Sequence, residues 1–287
     1  MEYLLTIILG VIGSILACII CYYVGHWITS FFRIRTNKLR SILPFDFSNH
    51  KTIMLTYAYI SPTTTSTAYV VEQGDLMALI KAYDIAITMI EKDKRIHILD
   101  GYSIENSYTT FPNIFSISGP KWNPITKILL GQLGAPIEFF KNSSTDKGIL
   151  VKTSKMQTGT SYKCEKTGTE KLPKICYGVI FAGEIENNDG SKQNILICAG
   201  SSTLSTNGCL LFLSQLSNSK FKVKQIKNKG IFKQKKWGIL LKIENNTRRN
   251  RISSPLHTND VTISVEKTFF QDDFLFKYEA KSYPNQI

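Results

Sequence analysis

The 287-residue chain lacks most of the residue clusters that mark familiar chemistry. Of its six cysteines, two sit in an apolar run, and Cys164, Cys176, Cys198 and Cys209 have no CxxC spacing. The four histidines, His26, His50, His97 and His257, are scattered. This pattern excludes a disulfide scaffold and argues against structural zinc, leaving reduced core thiols as the expectation. No GxxxxGK[ST] phosphate loop, GxGxxG fingerprint, GxSxG elbow or HExxH helix occurs. No catalytic residue, metal ligand or cofactor is therefore expected. Glu72, Asp75, Asp100 and Glu105 near strand ends could serve a glycosidic-bond-cleaving enzyme, but read more simply as caps and surface charges.

Acidic residues are also scarce. The 22 Asp and Glu face 35 Lys and Arg, a net charge of +13, which favours anionic partners such as nucleotides, nucleic acid or an anionic membrane face. With 43% hydrophobic and 20% charged residues, disorder and rod-like repeats are excluded.

Formal charge is missing altogether from Tyr3 to Phe32. A membrane-crossing helix needs about 20 apolar residues, so this run suffices. Tyr3 marks one end and Tyr22, Tyr23 and Trp27 the other, as interfacial aromatics do. Arg33, Arg35, Lys38 and Arg40 follow, whereas only Glu2 precedes. The positive-inside rule then places the N-terminus outside the inner (cytoplasmic) membrane and the rest of this single-pass chain in the cytoplasm. A cleaved signal peptide would need a basic start and a shorter apolar core.

Within this run Gly10, Ser14, Ala17, Cys21 and Gly25 recur every three or four positions and so share one helical face. Faces of small residues let helix backbones approach closely in lipid, which predicts a homo-oligomer, with a tetramer favoured.

Beyond a basic linker (33–51), the segment 52–219 alternates strands and helices. TIMLTYAYI (52–60) reads as a buried strand, and GDLMALIKAYDIAITMIEK (74–92) as a helix with Leu76, Leu79, Ile80, Tyr83, Ile87 and Ile90 at helical spacing. RIHIL (95–99) and IFSIS (114–118) read as strands. GPKWNPITKILLGQL (119–133) reads as a helix capped by Asn123. Strands are expected at 136–141, 149–153, 175–183 and 193–199, with the NNDGS turn (187–191) closing a hairpin. A helix follows from Gly200 to about Leu216. The fold class is therefore α/β: one N-terminal transmembrane helix (1–32), then a Rossmann-like mixed-sheet domain, then a β-rich basic part (220–287) with VTISV (261–265) its clearest strand.

Ligands in open α/β sheets bind beyond the carboxyl ends of strands. Two segments have the right build. In one, an apolar strand runs into Gly200, Ser201, Ser202 and Thr203 and then a helix, where free amides and the helix dipole favour an anion. In the other, Gly119, Lys121, Trp122 and Asn123 offer a tight turn, a cation, an indole and an amide. Turn geometry alone would account for either.

These segments carry a resemblance. GPKWNPITKILL looks like the GP-x-x-N-x-x-T segment of a Rossmann-like domain in bacterial signalling and conflict proteins, with matches at Gly119, Pro120, Asn123 and Thr126. CYGVIFAGEIENNDGSKQNILICAGSSTLST is similar to that domain's second half, matching at Ala199 and Gly200 and departing at Ser205-Thr206, where the pattern has Gly-Thr. The layout resembles membrane effectors of bacterial antiphage defence. The resemblance implies a nucleotide or short oligonucleotide signal controlling an oligomeric, membrane-disrupting or pore-forming element.

The densest charge lies between Lys220 and Arg251, with nine lysines and three arginines against Glu244 alone. Alternation in KFKVKQIK would align Lys220, Lys222 and Lys224 on one strand face, and Arg248 and Arg249 add to the patch. Such a face with nearby aromatics suits a short single-stranded oligonucleotide. Anionic lipid or plain solvation are the open alternatives. The resulting expectation is a nucleotide- or oligonucleotide-controlled membrane effector, with a membrane-tethered nucleotide- or NAD-processing enzyme as the alternative.

Overall fold

The structure is a computed structural model. It describes residues 39–47, 50, 52–58, 73–90, 94–142, 146–153, 156–165, 172–187, 189–217, 229–246, 256–257 and 259–274. The expected membrane segment, with Gly10, Ser14, Ala17, Cys21 and Gly25, lies outside the described residues, as do Lys220, Lys222, Lys224, Arg248 and Arg249. Among the described residues no helix is long and apolar enough to cross a membrane.

The chain forms a mixed α/β fold around a seven-stranded sheet. Its strands are β1 (Thr52–Tyr57), β2 (Arg95–Asp100), β3 (Asn113–Ile117), β7 (Ile175–Glu186), β8 (Lys192–Gly200), β9 (Lys236–Asn245) and β10 (Val261–Phe269), in the order β10-β9-β7-β8-β3-β1-β2. The block β8-β3-β1-β2 is parallel, and β7, β9 and β10 continue it antiparallel. Strands β9 and β10, from the basic C-terminal part, thus extend the same sheet as the segment before them. A three-stranded sheet of β4 (Ile137–Lys141), β5 (Lys147–Thr153) and β6 (Met156–Lys163) lies apart in hydrogen bonding.

The central strands are apolar on both faces, as parallel strands covered on both sides must be. Alternate residues feed two cores. Ile53, Leu55, Phe115, Ile117, Leu196 and Cys198 point to one face, where α2 (Gln73–Met89) and α4 (Thr203–Ser217) pack. Met54, Ile114, Ile195 and Ile197 point to the other, against α3 (Pro124–Leu133) and the apolar side of the small sheet. A short turn of helix, α1 (Leu39–Ile42), joins the first core, and its Ile42 carbonyl accepts a 3.2 Å bond from the buried Trp237 indole. The four described cysteines are buried thiols in this framework.

One helix is turned differently from its pattern. The stripe Leu76, Ile80, Tyr83 and Ile87 lies outward, 42%, 41%, 38% and 42% exposed. The buried side of α2 is instead Gly74, Ala78, Ala82, Ile85, Ala86 and Met89. Small residues win that face because α2 runs close against α4: a Cβ on Gly74 would come 3.0 Å from the Thr203 Cβ, and Asn207 donates a 2.9 Å bond to the Gly74 carbonyl.

Candidate functional site

Neighbouring parallel strands β3 and β8 send their following helices to opposite faces of the sheet, α3 to one and α4 to the other. A crevice opens beyond the carboxyl ends of two such strands. Here it is a cavity of about 580 Å³, within the size range of small-molecule sites. The first residues of α2, the β3–α3 turn and the β8–α4 turn all line it, so the two segments singled out from the sequence face one space.

The β3–α3 turn is held in an uncommon conformation. Ser118 has φ 83°, a left-handed value that a non-glycine residue adopts at a cost. Three bonds hold it there. Its amide donates to the Cys198 carbonyl at 3.1 Å, its carbonyl accepts from the Thr126 hydroxyl at 3.0 Å, and its own hydroxyl donates to Asp75 Oδ1 at 2.9 Å. Asp75, in the first turn of α2, is 6% exposed and is the one acidic residue among the described residues that line the cavity. Beside Ser118 the two turns touch: a Cβ on Gly119 would lie 2.7 Å from the Gly200 carbonyl oxygen, so only glycine permits this approach.

Asn123 stands behind the wall. Its side chain accepts from the Ile125 and Thr126 amides at 3.0 and 3.4 Å, capping α3, and donates to the Ile117 carbonyl at 2.8 Å. At 0% exposure it builds the turn and does not line the cavity. Pro124 opens the helix and Gly134, at φ 72°, ends it in the left-handed form usual at that position.

The β8–α4 turn is organised by its hydroxyls. Ser202 and Ser205 bond reciprocally: the Ser202 amide donates to Ser205 Oγ at 3.0 Å and the Ser205 amide to Ser202 Oγ at 3.3 Å. This is a capping box with serine in the place of the usual glutamate. Ser201 turns back, donating to the Tyr177 carbonyl at 2.9 Å, with Cys164 Sγ also 2.9 Å from its hydroxyl. Gly200, Ser201, Ser202 and Thr203 all line the cavity, whose wall thus includes the amino-terminal turns of α2 and α4.

Three lysines complete it. Lys141 and Lys147 are direct cross-strand partners in the β4–β5 hairpin, an arrangement in which like charges repel. Lys121 joins them, its ammonium 4.7 Å above the ring of Trp122, which is 45% exposed. Partial burial, followed by the charges of Lys141 and Lys147, holds Lys121 below the ordinary lysine value. Lys141 and Lys147 carry no motif in the sequence; only strand pairing brings them to the crevice. The thiols are of another kind, since burial pushes Cys176 up to about 12 and raises Cys198 and Cys209 as well, which leaves them unreactive.

Among the described residues no three of His, Cys, Asp and Glu converge as a metal-binding group. Comparison of the chain with protein-family models, with curated proteins and with solved structures finds no match.

Proposed function

We propose that the crevice receives a nucleotide or short oligonucleotide, and that the protein is a membrane-anchored, homo-oligomeric effector of bacterial antiviral defence controlled by that ligand. One observation carries the ligand reading: three lysines, two of them directly opposed across a strand pair, gather at a cavity that also collects two helix amino termini. Crowded cations at helix starts attract phosphate, and the Trp122 ring beside them offers a surface on which a base can stack. The membrane half of the proposal rests on the uncharged run Tyr3–Phe32, its basic flank and its face of small residues. A ligand can then open or close an assembly of such helices only by binding one state better than another, and about 5.5 kcal/mol of preference switches it fully.

The test uses the full-length protein in vesicles of phosphatidylethanolamine and phosphatidylglycerol. Inorganic phosphate, ATP, cyclic dinucleotides and linear oligoadenylates are titrated against Trp fluorescence, and release of trapped dye is followed in parallel. Saturable binding by a nucleotide, lost in Lys121→Met and accompanied by a change in dye release, supports the reading. Binding without any change in release under all ligands sinks the effector half, and no binding sinks both.

One observation favours the alternative, a membrane-tethered enzyme acting on a nucleotide or on NAD: the buried Asp75 carboxylate engaged with Ser118 on the cavity wall. Turnover of NAD or ATP that vanishes in Asp75→Asn would decide for it.

A further inference from the structure

The chain does not leave the large sheet behind at the end of β6. Just past Lys163 it makes one antiparallel bridge to the start of β7, between Glu165 and Ile175. The Glu165 amide donates to the Ile175 carbonyl at 2.9 Å, and the Ile175 amide donates back to the Glu165 carbonyl at 3.2 Å. Such an exchange marks a hydrogen-bonded pair. The next pair along is then of the non-hydrogen-bonded kind, with Cα atoms about 4.5 Å apart and side chains on one face. That pair is Cys164 and Cys176. A disulfide spans Cα atoms about 4.4–6.8 Å apart whose Cβ atoms face each other. Both thiols also belong to one core cluster, Cys164 at 6% exposure and Cys176 at 0%.

We propose that Cys164 and Cys176 form a reversible disulfide under peroxide, a staple between the small sheet and the large one at the rim of the crevice. The proposal is independent of what the crevice binds.

Cys164 is the thiol that an oxidant meets first. Its Sγ lies 2.9 Å from the hydroxyl of Ser201, and Ser201 lines the crevice, which gives a molecule as small as hydrogen peroxide a way in. Peroxide oxidises the Cys164 thiol to a sulfenic acid and leaves as water. The Cys176 sulfur then displaces the sulfenic hydroxyl: the S–O bond breaks, the S–S bond forms, and the hydroxyl departs as water with the Cys176 proton. Two thiols have lost two electrons and two protons, and one peroxide has become two waters. Burial, which keeps Cys176 protonated up to about 12, makes it inert to outside reagents, whereas its cross-strand partner is already in place. The charges of Cys164 and Lys147 both reach Cys176, as close neighbours must.

The staple acts on the wall of the crevice. The Cys164 amide donates to the Lys147 carbonyl at 2.9 Å, so fixing Cys164 fixes the strand that carries Lys147. Leu172 and Pro173 lie within the loop 164–176 that the disulfide closes, and bond formation takes Cys164 Sγ away from Ser201. Lys147, Leu172, Pro173 and Ser201 all line the cavity. Disulfides that form in a reducing compartment are usually of this transient, redox-sensing type.

The test takes the full-length protein in detergent, reduced, desalted and exposed to hydrogen peroxide. Remaining thiols are alkylated before digestion, and peptides are mapped by mass spectrometry. The main product should be a peptide pair linked through Cys164 and Cys176, released again by dithiothreitol. The oxidised protein should melt about 5 °C or more above the reduced one. In Cys164→Ser, whose hydroxyl can keep the contact with Ser201, oxidation of Cys176 should slow by about tenfold or more. Peroxide that leaves both thiols free, stops at a Cys164 sulfinic acid, or links Cys164 to a different cysteine overturns the proposal. So does a Cys176 that oxidises as fast in Cys164→Ser as in the unsubstituted protein.

Discussion

The hydroxyl of Ser118 donates a 2.9 Å hydrogen bond to the buried carboxylate of Asp75, tying the end of β3 to the start of α2 across 43 residues of sequence. Ser118 is at once strained in its backbone and bonded through its side chain, and two substitutions separate these effects. Ser118→Ala keeps the left-handed cost and leaves a buried carboxylate short of one donor, for a loss of about 1–3 kcal/mol. Ser118→Gly loses the same bond but relieves the backbone, so it should be more stable than Ser118→Ala by about 1 kcal/mol. Urea unfolding of the two variants gives the order.

Gly119→Ala is expected to harm the crevice directly. The added methyl meets the Gly200 carbonyl, which is backbone and cannot swing aside. Parting the two turns should cost about 1–3 kcal/mol of stability and weaken nucleotide binding, measured by thermal melting and by titration.

Asn123→Ala should behave as a folding defect. Losing an N-cap costs about 0.5–2 kcal/mol, and here the Ile117 carbonyl also loses its donor. Affinity measured on the folded fraction should change little, whereas a direct ligand contact would lower it in proportion to the lost bond.

Lys121 links charge to pH. Its depressed value means that the folded chain holds this proton less tightly than the unfolded chain does. Its contribution is therefore unfavourable while charged, and stability should rise as pH climbs through the depressed value towards 10.5. An anion in the crevice reverses the effect by favouring the charged form. Affinity should accordingly fall with rising pH, beginning below the ordinary lysine range, with proton uptake on binding at alkaline pH. Lys121→Met should melt no lower than the parent protein and bind phosphate-bearing ligands about tenfold more weakly, a loss of about 1.4 kcal/mol. Calorimetry in buffers of different ionisation enthalpy measures the uptake.

Local pattern carried much of this fold. The strands read at 52–60 and 95–99 are found at Thr52–Tyr57 and Arg95–Asp100, and these, the antiparallel β7–β8 hairpin and the Asn123 cap were legible because each is written in adjacent residues. The helix at 73–89 was legible as a helix but not in its orientation. Periodicity marks the large apolar residues, whereas the buried face carries Gly74, Ala78, Ala82 and Ala86 beside Ile85 and Met89, and Leu76, Ile80, Tyr83 and Ile87 of the conspicuous stripe stay outside. The two glycine turns could each be read as strand-to-helix joints. That they abut depends on β3 lying next to β8, a pairing between residues about 80 apart. Lys141 and Lys147 left no trace in the sequence, since each becomes informative only through the other.

The wall of the crevice is assembled from residues 73–75, 118–122, 139–141, 147–148, 172–173, 200–203 and 206, so no fragment of the domain possesses it. Whatever binds there recognises a finished molecule. By mass action it adds RT ln(1 + [L]/Kd) to the free energy of unfolding, about 2.7 kcal/mol at one hundred times Kd. Cellular abundance of the protein should therefore track the concentration of any ligand that fills the crevice, with unoccupied copies the first to be cleared by proteases.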